Sequence, residues 1–377
     1  MTPNPTRARA WRRRARRASA AALVAVTATF GTGLAFADGS GPGSVAAFGD
    51  ASDAGSAAGQ AVSGMSRTPS GAGYWLVTTA GQVFAFGDAG SFGSLESQPN
   101  QPIVDIAATP TGQGYWLVAR DGGIFAFGDA RFHGSTGGQR LNQPIVGMAA
   151  TPTGNGYWLV ARDGGIFNFG DATFDGSAGD VRLREPIVGM AATPTGKGYW
   201  LVARDGGIFA FGDAAFQGST GDQSLNEPIV GMAATPSGHG YWLVARDGGV
   251  FTFGDAPFHG SLAGGGTAPV VDIAATPDGG GNWIASGGRY LGDFEVTCYS
   301  LHGSTASGAP VSERVVAVDP RVIPLGTEIY LGGQGTRVAL DTGGAIKGRR
   351  LDIWEPTDSQ CRDWGRRTLP VYLDTES

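Results

Sequence analysis

The segment PIVGMAATPTGKGYWLVARDGGIFAFGDAAFQGS at 186–219 recurs with small changes through most of the chain, and a repeat of this kind limits the fold before any single residue is weighed. Its Tyr-Trp pairs begin at Tyr74, Tyr115, Tyr157, Tyr199 and Tyr241, with Asn282-Trp283 in the sixth place, so the periods are 41, 42, 42, 42 and 41 residues. Each unit holds three apolar runs, Ile187 to Ala192, Tyr199 to Ala203 and Ile208 to Phe211, separated by Gly, Pro and Asp-Gly turn signals. A shorter run near Phe216 would supply a fourth strand. Three or four strands per unit fit a propeller blade or one turn group of a β-solenoid.

The ends of the array choose between the two. The last unit, Val270 to Gly288, stops before the IFAFGDA segment, while an orphan copy of that segment stands at Ser44 to Ala51. A closed ring needs such complementary truncation, because pairing the first and last pieces in one sheet removes the open edge that a solenoid must cap. A six-bladed β-propeller over residues 44–288 is therefore expected.

Within a blade, alternate residues of a strand face opposite sides. Trp200 and Val202 should then pack on one neighbouring blade, and Tyr199 and Leu201 on the other. Asp213 of FGDA and Asp205-Gly206-Gly207 read as turn residues. The variable positions His133, Asp175, Gln217 and His259, each after FGDA-x-Phe, are candidates for surface ligand contacts. The array resembles Gly-Tyr-Trp-rich repeats of actinobacterial exported proteins and, more loosely, six-bladed sialidase-type propellers. Thr276 to Trp283 looks like an Asp-box turn, a turn-stabilising element from which no sialidase chemistry follows.

Residues 1–37 read as an export signal. Seven arginines lie between Arg7 and Arg17, an Ala/Val/Leu/Thr run follows from Ala18 to Leu34, and Ala35-Phe36-Ala37 is a small-x-small cleavage site. The apolar run is shorter than a membrane span of about 20 residues. The rest of the chain carries 20 basic and 33 acidic residues, a net charge of −13. Nucleic acid and anionic lipid both call for clustered Lys and Arg, so neither is an expected partner. Gly at 65 of 377 residues and the lack of sustained helical periodicity make the chain all-β. Cys298 and Cys361, the two cysteines, read as a disulfide in an exported protein. Four scattered histidines give no metal-binding cluster, and neither metal nor cofactor is expected.

From Arg289 the repeat vanishes. Six β-like segments follow: Phe294 to Leu301, Arg314 to Val318, Glu328 to Leu331, Arg337 to Leu340, Arg350 to Trp354 and Leu369 to Leu373, with a brief helix around Ser359 to Trp364. They suit a compact six-stranded closed barrel. The strings Val316 to Thr327 (VAVDPRVIPLGT), Asp341 to Gly348 (DTGGAIKG), Leu351-Asp352-Ile353 and Trp364 to Arg367 resemble the 3D domain. That family is named for three aspartates and includes the catalytic part of membrane-bound lytic transglycosylases of the A type and the stationary-phase muralytic proteins. The resemblance implies a double-psi β-barrel over 289–377, with the three aspartates at Asp319, Asp341 and Asp352.

The resemblance also implies cleavage of the β-1,4 glycosidic bonds of peptidoglycan, by lytic transglycosylation or hydrolysis, with Asp352 as acid and base. One carboxyl group can protonate the leaving oxygen and then take the muramyl O6 proton, whereas hydrolysis calls on two carboxylates. On the Arg350 to Trp354 strand, Leu351 and Ile353 should face the core and Asp352 should share the other face with Trp354, where desolvation raises a carboxyl pKa. Asp341 would orient substrate or the charge of Asp352, or serve as an Asx-turn residue. Asp319 could be catalytic, substrate-binding or a turn acceptor, and Lys347 a solvated lysine or a substrate contact. Thr305 and Tyr299 match family positions near the groove. Expected partners are peptidoglycan glycan strands, with another wall polymer or a protein on the propeller, and the protein is expected to be a monomer. A second reading is a non-catalytic, expansin-like wall binder.

Overall fold

The computed structural model describes residues 41–263 and 268–373, and the expected export segment, 1–37, lies outside them. Six three-stranded antiparallel sheets precede one closed six-stranded barrel, so the protein is an all-β propeller followed by a barrel. In the fourth blade, strands Ile187–Ala192, Gly198–Ala203 and Ile208–Gly212 pair in sequence order, and the other blades copy them. The first strand of each blade touches the first strand of the next all the way round, from Val270–Ala275 back to Val62–Arg67. The strand Val45–Gly49 completes the sixth blade from the other end of the repeat array, with Ala47 opposite Trp283. Among the described residues the ring therefore has no terminal unit for a solenoid cap to cover.

The middle strand of every blade is buried along its whole length. Alternation divides it between neighbours, as the sequence indicates: Tyr199 and Leu201 pack with Trp158 and Val160, while Trp200 and Val202 pack with Tyr241 and Leu243. Burying about 200 Å² of indole is worth ~5 kcal/mol at ~25 cal/mol/Å², an upper figure because an unfolded chain already hides some of it. The polar tips are satisfied too. The Trp200 Nε1–H donates to the Ala215 carbonyl at 2.8 Å and the Tyr199 hydroxyl to the Gly176 carbonyl at 2.5 Å.

Those bonds explain why the expected fourth strand is absent. The segment after Gly212 runs between blades, and its backbone groups pair with side chains: Gln217 N–H donates to the Tyr241 hydroxyl, which donates to Gly218 O. Phe216 lies outside any strand and is 55% exposed. Two of the candidate surface positions are also packed. His133 lies against Trp116 and Tyr157, and His259 stacks on Trp242 while its Nε2 meets the Gly279 carbonyl at 2.9 Å. The phenylalanine before each of them takes the exposed place.

The repeated aspartates are turn latches. Asp213 accepts hydrogen bonds from the hydroxyls of Thr193 at 2.8 Å and Thr195 at 2.5 Å, and Asp205 accepts from Gly207 N–H at 3.0 Å. In the sixth blade the Asp-box-like turn behaves likewise, with Asp278 Oδ1 taking the Thr276 hydroxyl at 2.8 Å and Gly280 N–H at 3.1 Å.

Gly287 and Gly288 join the ring to the barrel without a linker. A Cβ at Gly287 would stand 2.1 Å from the Val62 carbonyl oxygen, so only glycine lets the chain pass there. The barrel's strand order is Arg289–Tyr299, Arg350–Trp354, Val315–Ala317, Gly335–Asp341, Glu328–Leu331, Arg367–Leu373. Two of its pairings are parallel, Arg289–Tyr299 with Arg350–Trp354 and Val315–Ala317 with Gly335–Asp341. This mixed closure agrees with the double-psi expectation. Val296, Val316, Leu331, Leu351, Ile353 and Val371 are among the side chains filling the interior. The first strand starts at Arg289, earlier than the sequence indicates, because it pairs with Arg367–Leu373 from its first residue. A disulfide joins Cys298 to Cys361 of the Asp358–Trp364 helix. Among the described residues, no helix is long and apolar enough to cross a membrane.

The barrel rests against the propeller through polar contacts. Glu328 and Arg204 form an ion pair at 2.8 Å, and Glu227 accepts from Thr336 N–H at 2.8 Å and from its hydroxyl at 2.6 Å.

Candidate functional site

Asp341 and Asp352 are far apart in the chain but both lie beside Ala317. The Val315–Ala317 strand sets Ala317 against Asp341 in its parallel ladder and against Asp352 in its antiparallel ladder. Two carboxylates thus flank one short strand. Strand alternation then orients Asp352: Leu351 and Ile353 are buried in the core, so Asp352 and Trp354 face outward on the opposite side.

The neighbouring Arg289–Tyr299 strand brings partners in register, with Thr297 opposite Asp352 and Tyr299 opposite Trp354. The Thr297 hydroxyl donates to Asp352 Oδ1 at 2.6 Å. The Tyr299 hydroxyl donates to Asp341 Oδ2 at 3.1 Å, while Ala306 and Thr342 N–H groups both donate to Asp341 Oδ1 at 2.8 Å. Asp341 is thus held by three donors and Asp352 by one.

Electrostatics separates the two further. Burial pushes the half-buried Asp352 carboxyl above the ordinary aspartate range; the Thr297 hydrogen bond opposes this and the charge of Asp341 adds to it. The Tyr299 phenol is also driven far up, by burial first and then by the adjacent Asp341. It stays a donor at any physiological pH.

The remaining sequence candidates take other places. Asp319 is buried and clasped: Arg321 donates to Oδ1 through Nε at 3.0 Å and to Oδ2 through Nη2 at 2.7 Å, and Gly348 N–H reaches Oδ2 at 2.8 Å. The Arg321 guanidinium, followed by the Gly348 N–H, holds this carboxyl far below the usual range. Its bonds pin the Thr342-to-Gly348 turn to the Asp319-Pro320-Arg321 loop and leave it outside the Asp341/Asp352 cluster. Lys347 is exposed on that same turn. Thr305 is buried in a tight turn, taking Ala309 N–H at 3.1 Å, and the next residue supplies the Ala306 N–H that holds Asp341. Trp354 is half-buried, with its Nε1–H on the Leu301 carbonyl at 3.0 Å and its ring edge-on to His302. Thr297 was not singled out from sequence. Its signal is its place two residues before Tyr299, which puts both on one face of the strand.

An open hollow of about 360 Å³ is lined by Tyr299, Ser300, the disulfide, Asp358 and Arg362, so it meets the cluster at Tyr299 and at neither aspartate. Two acids flanking one strand, each held by a hydroxyl donor, form the kind of site that can hand a proton to a bound oxygen.

Residues 314–373 match the family model of the 3D domain. The matched segment contains Asp319, Asp341 and Asp352, and Thr297 and Tyr299 lie on the strand that precedes it. Outside the structure, the 3D domain is what relatives share with this chain. The cell wall-binding protein YocH of Bacillus subtilis (strain 168) is 44% identical over 77 residues, which is 19% of this chain and 27% of that protein. YabE of the same organism, provisionally named a cell wall shaping protein, is 38% identical over 84 residues, 21% of each chain. The chain therefore spans about a quarter of the length of these relatives. Upstream of the 3D domain, the β-propeller domain of Cps50 (Swd1) from Myceliophteria thermophila aligns with a TM-score of 0.40 at 11% identity, covering 60% of this chain and 83% of that one.

Proposed function

We propose that the protein acts at the bacterial cell wall, where the 3D domain cleaves the glycan strands of peptidoglycan and the propeller serves as a targeting or docking module. The observation that carries this reading is the asymmetry of two acids on one rim: Asp341 is fixed by three donors, while Asp352 keeps one oxygen free and its carboxyl is pushed toward the protonated form. The wall as a location draws on the names of the relatives matched through the 3D domain and on the export-like segment 1–37.

In this mechanism the Asp352 carboxyl donates its proton to the bridging oxygen as the bond from C1 of N-acetylmuramic acid breaks. The resulting carboxylate then takes the proton from the O6 hydroxyl of the same sugar, and O6 bonds to C1 to give a 1,6-anhydro product with no water consumed. Thr297 orients the acid, and its hydroxyl stabilises the carboxylate between the two proton transfers. Asp341 keeps negative charge beside Asp352 and near the developing positive charge at C1. Tyr299 holds Asp341 in place, and Asp319 fixes the turn that follows it. Trp354 offers a flat apolar surface for a sugar ring, and exposed Lys347 is taken as a contact to substrate acids or acetamido groups.

Digestion of purified sacculi tests the proposal. Wild type should release anhydromuropeptides and Asp352→Asn should release none. The name of YocH favours a second reading, binding without cleavage. Sacculi that retain the wild-type protein yet yield no soluble fragments would establish that reading in place of the first.

A further inference from the structure

The propeller axis holds a hollow that the proposed wall chemistry does not use. Its volume is about 100 Å³, and the barrel residue Tyr330 lines it together with the inner strands of the ring. That is room for a few waters or one small polyatomic ion. Arg120, Arg162 and Arg246, which come from the same repeat position in three blades, contribute to its wall. The fourth copy, Arg204, turns instead to Glu328 of the barrel.

Two buried acids also line the hollow. Asp105 and Asp272 occupy a position where the other blades carry Gly64, Gly147, Gly189 and Gly231. Both oxygens of each acid accept from backbone N–H groups. Asp105 accepts from Ile106 at 2.7 Å and Met148 at 2.9 Å, and Asp272 from Ile273 at 2.8 Å and Met65 at 2.9 Å. They clasp adjacent blades. Arg120 and Arg162 are half-buried and form no ion pair or side-chain hydrogen bond among the described residues. Arg120 and Arg162 thus bring two guanidinium charges to the wall, and burial pushes both acids there toward their neutral, protonated forms.

We propose that this hollow binds one phosphate-sized tetrahedral oxyanion, held by Arg120 and Arg162 beneath Tyr330, and that the ion fastens the barrel to the propeller. Planar guanidinium forks bind such oxyanions through paired hydrogen bonds, and a partly desolvated charge gains from a partner of opposite sign. The size of the hollow rules out a polymer. Because Tyr330 of the barrel and the inner strands of the ring share the wall of the hollow, an occupant there would resist separation of the two domains.

Titration of the full chain with phosphate and with sulfate, at ionic strength matched by chloride, tests the site. Thermal unfolding and phosphate-31 NMR line width read it out. A saturable rise in Tm with both tetrahedral ions, and broadening of the phosphate line that sulfate reverses, is the expected result. Arg120→Gln/Arg162→Gln should weaken binding at least 10-fold while the circular dichroism of the β-fold is kept. If that double variant fails to fold, Arg162→Lys, which retains charge but loses the fork, should weaken it several-fold. Phosphate that acts no differently from chloride on wild type would overturn the proposal, as would a folded double variant that binds equally well or a preference for formate over phosphate.

Discussion

The propeller and the barrel use aspartate in opposite ways. In the ring, the FGDA aspartate recurs in each blade and meets the same Thr or Ser hydroxyls at a turn, as Asp88, Asp129, Asp171, Asp213 and Asp255 do. In the barrel each of three aspartates has its own partners: an arginine fork on Asp319, three donors on Asp341, one hydroxyl on Asp352. Repetition marks a residue that solves a folding problem common to all blades. A residue that occurs once, half-buried, with a single hydroxyl donor, is the one on which the proposed chemistry rests.

Four measurements would break or sharpen that contrast. The largest effect is expected at Asp352. Removing a general acid and base costs about 10²–10⁴-fold in rate, so Asp352→Asn should abolish measurable release of muropeptides while its Tm stays near wild type. Asp213→Asn should leave activity intact and cost about 1 kcal/mol or less, since its hydrogen bonds are exposed. Equal loss of activity in both variants would erase the distinction.

Next in size is the ring core. Trp200→Ala removes an indole buried between two blades and should destabilise the fold by ~3–5 kcal/mol in denaturant titration. A loss below about 1 kcal/mol would mean that the blades do not depend on the repeated tryptophan. The barrel's counterpart is its staple. Cys298 and Cys361 are 63 residues apart, and cross-linking a loop of that length is worth roughly 4 kcal/mol in the chain-entropy model. Reduction, or a Cys298→Ser/Cys361→Ser variant, should lower barrel stability by ~2–4 kcal/mol and leave the propeller transition where it was.

The smallest effect concerns the two clasping acids of the ring. Burial pushes the carboxyls of Asp105 and Asp272 well up, and the charge of Asp272 adds to the rise at Asp105. A carboxyl with a raised folded pKa binds its proton more tightly in the native state, so its contribution is complete in acid and is lost as pH rises through the folded pKa. Propeller stability should therefore fall as pH rises from about 5 to about 8, and Asp105→Asn should flatten that slope. A wild-type Tm that climbs over the same range would contradict the assignment.

Much of this architecture was legible in the chain. Periodicity gave the blades, the orphan segment at Ser44 to Ala51 gave the closure, and strand alternation placed Trp200 and Asp352 on their correct faces. What escaped was set by tertiary partners. Phe216 has strand-like neighbours, but the Tyr241 hydroxyl captures the backbone beside it. His133 and His259 look variable and polar, yet each packs on an aromatic ring, His133 on Tyr157 of the next blade and His259 on Trp242 of its own. Asp319 belongs to a motif of three similar residues, and only the nearby Arg321 and Gly348 reveal that it is a clasp. Thr297 is an ordinary strand residue until the parallel ladder sets Asp352 beside it. The exchange of glycine for aspartate at Asp105 and Asp272 stood in plain view inside the repeat, but the Met148 and Met65 N–H groups that give it meaning come from neighbouring blades.

The borrowed strand Val45–Gly49 has a consequence for assembly. Its partner, Gly281–Ser286, is synthesised almost at the end of the repeat array, so a chain emerging from its amino end must wait with the sixth blade unfinished until nearly everything else has appeared. The barrel follows that blade through Gly287-Gly288 with no slack, which makes the seating of the barrel and the locking of the ring neighbouring events. A product cut short before Gly281–Ser286 would keep Val45–Gly49 without its partner and so carry an unpaired strand where the full chain closes its ring.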